Sequence, residues 1–176
     1  AGASAKLSIK DNNITSLGGA IVIRRGRGVT IADNNIEQLV DLSGNACVTL
    51  FDLDEDFSGK SVISNNKIEP NDPASKCYGI SMIRCKNTAV VNNQIGTSAN
   101  TGSYTAAVLV SECENLQIHY NDSYLSDGCF GVIIDAASKN ISYKKGKIRP
   151  FNSNFTEIEN ASKSTSGYRI IPALLN

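Results

Sequence analysis

Five segments of the chain repeat one short pattern, and that repeat constrains the fold more than any other feature. Residues 7–14 read LSIKDNNI and 29–36 read VTIADNNI; 61–68 read SVISNNKI, 88–95 TAVVNNQI and 116–123 LQIHYNDS. Aligned on Asn12, Asn34, Asn66, Asn93 and Asn121, the copies are 22, 32, 27 and 28 residues apart. A sixth copy, 141–148 (ISYKKGKI), puts Gly146 in the asparagine slot. Self-similarity at such a period marks a repeat architecture, in which each unit buries its apolar face only against its neighbours.

The residues inside the repeat favour strands over helices. Apolar positions recur every second residue, as in Val29 and Ile31, Ala89 and Val91, or Leu116 and Ile118, which is strand spacing. The asparagine follows where the chain must turn; it tolerates the left-handed backbone region and hydrogen-bonds locally. Gly146 fits the same reading, since glycine adopts positive φ freely. Stacked copies would bond amide to amide up a ladder. A second strand precedes each asparagine strand: 21–23, 48–50, 80–82, 108–110 and 132–134. LSIKDNNITSL also resembles a leucine-rich repeat, but that fold needs a helical or irregular arm where this chain alternates. The reading is therefore two alternating strands per repeat.

The pattern G-[IV]-x-[IM]-turn-N-[LIV]-x-[IV]-x-x-N-x-I runs from Gly79 to Ile95 and from Gly131 to Ile148. It resembles the right-handed parallel β-helix of pectate-lyase-like proteins, a superfamily that includes pectinases, alginate epimerases and bacteriophage tailspikes. The resemblance implies an all-β solenoid of about six rungs with an asparagine ladder, a column on the order of 29 Å long at one strand spacing per rung. Residues 1–150 would form the β-helix, and 151–176 an extension packed on it or on neighbouring subunits. The Asp-Pro-x-Asp and Tyr-Gly-Phe-Asp-Pro-His motifs of alginate epimerases are absent.

Charge and cysteine usage narrow the classes. Seventeen basic and seventeen acidic residues cancel, which gives no reason to expect nucleic acid or an anionic membrane as partner. No apolar run is long enough for a transmembrane helix. Residues 1–13 have neither the basic start nor the apolar stretch of a signal peptide, and the chain opens almost directly on a strand, as a piece of a longer protein would. Of the five cysteines, Cys77 and Cys129 align two rungs apart, about 9.6 Å, too far to bridge. Cys85 and Cys113 align in adjacent rungs with parallel Cβ vectors, poorly suited to a disulfide. All five are expected to be free thiols. No cofactor is implied, and with His119 the only histidine and no C-x-x-C, neither is a metal site.

Function should show on the outside of the column. If Ile21, Ile23, Val48, Leu50, Ile80, Met82, Val108, Val110, Val132 and Ile134 point inward, two outward rows result. One is Val22, Thr49, Ser81, Leu109 and Ile133; the other is Arg24, Phe51, Ile83, Ser111 and Asp135. Val22, Phe51, Ile83, Leu109 and Ile133 form an apolar stripe, which reads either as an interface or as a face covered by the chain's own loops.

The candidate chemistry lies in the insertion after Leu50, where Asp52, Asp54, Glu55 and Asp56 could supply the carboxyl pair of a glycosidase. Glu112, Glu114 and Asp135 are more distant candidates, and a solvated acidic turn is the plain alternative. Arg24 and Arg25, with Phe51, are the candidate substrate-binding residues for an acidic sugar. Together with the resemblance, these features imply a bacteriophage tailspike or tail-fibre segment, on the virion tail, that binds or also cleaves a host cell-surface polysaccharide as a homotrimer. The alternatives are a secreted polysaccharide lyase or glycoside hydrolase, or a non-catalytic adhesive β-helix.

Overall fold

The computed structural model describes residues 6–39, 46–54, 59–70, 78–96, 106–125, 130–150 and 156–160. These form eighteen strands in six successive groups of three. The first rung is β1 (Ser8–Lys10), β2 (Asn13–Ser16) and β3 (Ile21–Arg24); the second is β4 (Thr30–Ala32), β5 (Asn35–Gln38) and β6 (Ala46–Phe51). The third is β7 (Ser61–Ser64), β8 (Lys67–Glu69) and β9 (Tyr78–Ile83); the fourth is β10 (Thr88–Val91), β11 (Gln94–Ile95) and β12 (Ala106–Ser111). The fifth is β13 (Glu114–His119), β14 (Asp122–Leu125) and β15 (Phe130–Ile134); the sixth is β16 (Lys139–Lys144), β17 (Ile148–Pro150) and β18 (Thr156–Asn160).

The first strands of all six rungs pair as parallel sheet A, the second strands as sheet B and the third as sheet C. Every strand bonds to the equivalent strand one rung away, so this is a parallel β-helix solenoid. Each rung has three strands where the sequence reading had two. The strand missed is the one in sheet B, just after the asparagine, and it is only Gln94–Ile95 in the fourth rung. The expected boundary at residue 150 falls between β17 and β18, both strands of the sixth rung. Residues 161–176 lie outside the described residues.

The core is built of vertical columns. Ile31, Ile63, Val90 and Ile118 stack along sheet A, all fully buried. Ile36, Ile68 and Ile95 do so along sheet B, and Val48, Ile80, Val108 and Val132 along sheet C. Branched side chains of one shape fit such columns, because each meets its like one strand spacing away. The ten inward positions expected in sheet C are all buried; the first expected outward row is in register throughout, and the second from Arg24 to Ser111, with Asp135 just past the end of β15. In the fourth rung the alternation expected in sheet A is shifted by one. Val90 and Thr88 are the inward residues there, and Ala89 and Val91 lie on the outer rows beside Val62 and Ser64.

The asparagine ladder occupies the A–B corner, which is two residues long in five rungs. Asn66 is typical. Its Oδ1 accepts from the Asn34 backbone N–H (3.0 Å) and Nδ2 (2.9 Å), while its own Nδ2 donates to the Ile31 carbonyl (3.0 Å) and to Asn93 Oδ1 (2.9 Å). Those four bonds fill the hydrogen-bonding capacity of the amide. The same contacts join Asn12 to Asn34 and Asn93 to Asn121.

Two details of the corner differ from the sequence reading. The left-handed residue is the one before the ladder asparagine: Asp11, Asp33, Asn65, Asn92 and Tyr120, all with φ between 55° and 58°. Gly146, in the sixth rung, does not have positive φ. A Cβ there would sit 2.1 Å from the Asn121 carbonyl oxygen, so close backbone approach, not turn conformation, requires glycine.

Replacing Asn93 by Leu should cost about 1 to 3 kcal/mol, because it orphans the Asn66 N–H and Nδ2 and the Ile63 carbonyl in a dry corner. Thermal unfolding followed by far-ultraviolet circular dichroism checks this; an unchanged melting temperature would remove the ladder as a stabilising element.

Candidate functional site

The C–A corner carries three further stacked rows. The first residues past sheet C, Arg25, Asp52, Arg84 and Glu112, all have left-handed backbone (φ 58°, 54°, 51° and 53°). Their N–H groups bond to the next rung, as in Arg25 to the Phe51 carbonyl and Asp52 to that of Ile83, both about one strand spacing along the axis. Charge alternates along this row, and Arg84 Nε donates to Asp52 Oδ1 at 2.6 Å. The Arg84 hydrogen bond, helped by the charges of Arg25 and Arg24, holds the Asp52 carboxyl below its usual range despite some desolvation. Beside it, the Arg24 guanidinium lies 5.0 Å from the centre of the Phe51 ring. The corner thus brings Arg24, Arg25, Phe51 and Asp52 together.

Of the insertion's carboxylates, Asp52 and Asp54 are engaged separately. Asp54 is fully buried. Its Oδ1 accepts from the Gly28 N–H (2.9 Å) and its Oδ2 from the Ser61 hydroxyl (2.6 Å), which in turn accepts from the Val29 N–H (3.0 Å). A Cβ at Gly59 would lie 2.0 Å from Asp54 Oδ1, so the returning loop closes directly over the carboxylate. Asp54 ties two rungs together, while Asp52, its side chain 15% exposed, pairs with Arg84. Glu55 and Asp56 lie outside the described residues. Asp135 is likewise engaged: Ser111 Oγ (2.7 Å) and the Glu112 N–H (3.0 Å) reach Oδ2, and Ser138 N–H (2.9 Å) and Oγ (2.6 Å) reach Oδ1. Burial pushes this carboxyl up, but the Ser138 and Ser111 hydroxyls and the two N–H groups more than offset it, leaving it lowered.

The second row repeats the asparagine logic with sulfur. Cys85 N–H donates to Cys113 Sγ (3.3 Å), and Cys113 N–H donates to Ser138 Oγ (3.1 Å). Each thiol also lies near a carbonyl of the rung below, Cys85 at 3.4 Å from Leu50 O and Cys113 at 3.5 Å from Met82 O. Cys47, Cys85 and Cys113 are buried free thiols; Cys77 and Cys129 lie outside the described residues. The hydrogen bond with Cys85, together with burial, pushes the Cys113 thiol well above its ordinary value. The same hydrogen bond, against burial, lowers the Cys85 thiol. Cys85 and Cys113 are ladder residues, and the Cys47 thiol instead donates to Gln38 Oε1 at 3.2 Å.

The third row is a second asparagine ladder, on the outside. Asn87, Asn115 and Asn140 have φ of 46°, 58° and 53°. Asn140 Nδ2 donates to Asn115 Oδ1 (3.0 Å), and Asn115 Nδ2 to Asn87 Oδ1 (3.4 Å). Next to it opens a cavity of about 300 Å³ bordered by Gly59, Lys60, Asn87, Thr88, Asn115 and Gln117. Amides and one ammonium dominate its polar groups, and no carboxylate borders it among the described residues. Such a surface can hydrogen-bond hydroxyl groups.

The cavity was not legible in the sequence, because its residues come from the start of sheet A in several rungs. The one available signal was the leading asparagine of the repeat pattern, present in three successive copies. No protein-family model, curated protein or solved structure matches the chain.

Two outcomes follow from these contacts. Asp54→Ala should lower stability by about 2 to 3 kcal/mol in urea unfolding, since it leaves the Gly28 N–H and Ser61 hydroxyl without their acceptor. Asp135 has a depressed folded-state pKa, so its contribution is present above the unfolded value of about 3.9 and is lost as pH falls below it. The urea midpoint should therefore fall less steeply with acid in Asp135→Asn than in the unmodified protein.

Proposed function

We propose that this β-helix is a segment of an elongated bacteriophage tailspike or tail fibre, carried on the virion tail, that binds a host cell-surface polysaccharide. The observation that carries this reading is the cavity beside the outer asparagine ladder: convergent amides from Asn87, Asn115 and Gln117 with Lys60, on a rigid column and with no bordering carboxylate among the described residues. Hydroxyl-rich ligands suit such a surface, and hydrolysis needs a carboxyl pair that Asp52 and Asp54, each committed elsewhere, do not supply. The resemblance to tailspike β-helices supplies the biological setting.

The outward face of sheet C supports association into a homotrimer. Val22 is 55% exposed, and Phe51, Ile83, Leu109 and Ile133 are half-buried in the single chain. Val22, Leu109 and Ile133 share one register row; Phe51 and Ile83 share the next. Three parallel columns meeting on this stripe would bury it along the axis of symmetry.

Binding is tested by surface plasmon resonance on immobilised bacterial capsular polysaccharides and lipopolysaccharides. Gln117→Ala should weaken the response about tenfold, the effect of losing one net hydrogen bond, with no change in melting temperature. No response to any surface sinks the reading. For the trimer, light scattering should report three chains per particle, and monomers with an unchanged β-sheet spectrum in the Ile83→Lys, Leu109→Lys double variant.

A further inference from the structure

Tyr120 is out of place in its row. The equivalent left-handed positions in the other four rungs are Asp11, Asp33, Asn65 and Asn92, small polar residues suited to positive φ. Tyr120 has φ of 57° and a side chain too bulky to favour it. It is also 53% exposed, whereas Phe51, Tyr78, Tyr124, Phe130 and Tyr143 are half-buried or buried. A strained residue that exposes an aromatic ring points to a role at the surface.

Its neighbours brace the ring. His119 meets it edge-on, with centroids 5.9 Å apart at 64°, and His119 Nε2 is itself held 2.9 Å from Ser142 Oγ. Lys144 Nζ lies 5.7 Å from the Tyr120 ring centre. Asp122, two residues on, is turned to another task, with its Oδ1 accepting from the Lys147 N–H at 2.8 Å.

The ring also follows on the strand that borders the cavity. Along β13, Leu116 and Ile118 point inward, so Asn115, Gln117 and His119 share the outer face. From Asn115 to Tyr120 is about 17 Å at strand spacing. The outer rows of sheet A add charge of one sign. Ser8, Thr30, Val62, Ala89, Gln117 and Ser142 form one, and Lys10, Ala32, Ser64, Val91, His119 and Lys144 the other. Neither row holds an Asp or Glu, and Lys60 sits at the cavity end.

We propose that the outer face of β13 is an elongated subsite for an anionic saccharide. The cavity amides take sugar hydroxyls, the Tyr120 ring stacks on a sugar face, and Lys144 and Lys60 meet the carboxylate or sulfate groups. This rests on the glycan-binding reading above and adds to it a ligand charge and a stacking residue.

Affinity electrophoresis through gels containing alginate (a polyuronate), dextran sulfate or neutral dextran tests it, with Tyr120→Asn, Lys144→Gln and Gln117→Ala alongside the unmodified protein. Tyr120→Asn restores the residue type of the other rungs, so its melting temperature should hold or rise while retardation weakens at least tenfold. The unmodified protein should be retarded by alginate or dextran sulfate and not by dextran, and Lys144→Gln should reduce that retardation. Equal retardation by dextran overturns the anionic class. Retardation that survives Tyr120→Asn marks mere charge attraction and overturns the subsite; if Gln117→Ala abolishes it in the same gels, the cavity reading stands alone. No retardation by any of the three polymers overturns the subsite, whereas the cavity reading is decided separately on the bacterial polysaccharide surfaces.

Discussion

The structure depends on one side-chain amide used four ways at the A–B corner. A parallel β-helix satisfies its strand backbone between rungs, but at each corner the strand geometry lapses and N–H and C=O groups are left over. Asn34, Asn66 and Asn93 are 2%, 1% and 1% exposed, so water does not reach those groups. The amide supplies an acceptor for the N–H below and a donor for the carbonyl below, and still reaches the next amide. Every buried polar group at the corner is matched, which is the condition for leaving it dry. Aspartate would lack the donors, leucine would lack everything, and glutamine would be one methylene too long for a two-residue corner.

The C–A corner shows the same requirement met by other atoms. At Cys113 the sulfur accepts from the rung below and lies against a carbonyl of that rung; at Ser138 the hydroxyl accepts in the same way. In the second and third rungs the carboxylate of Asp54 takes the part, reaching across to the Gly28 N–H. The free thiols thus have a structural role that neither disulfide nor nucleophile chemistry would suggest.

These differences explain what could be read from the residues and what could not. The asparagine column was legible because one residue type recurs at one place, and sheet C because its strands run five or six residues in the last five rungs, long enough for alternation to show. Sheet B was not, since Gln94–Ile95 offers a single inward residue and period two cannot be seen in two residues. The left-handed position was misplaced by one because Asp-Asn and Asn-Asn pairs suit either assignment; only Tyr120-Asn121 breaks the tie, and there the bulky residue takes the unfavourable backbone. Arg24 and Phe51 could be placed side by side because they share strand register. Asp54 was not, because burial is invisible in an acidic run. The outer cavity was missed because register alone makes neighbours of Asn87 and Asn115.

Corner length follows from the same accounting and decides where function can sit. The A–B corner is two residues long in five rungs, since any insertion would carry the asparagine out of line with its neighbours and orphan groups in both. The B–C connections obey no such limit: they span 17–20, 39–45, 70–77, 96–105, 126–129 and 151–155. The C–A connections range from 112–113 to 52–60. Variation is confined to the corners whose polar groups can be met in several ways. Tyr120 sharpens the point: at the two-residue corners held by the asparagine ladder, a new surface property comes from substituting a side chain in place, at the cost of backbone strain.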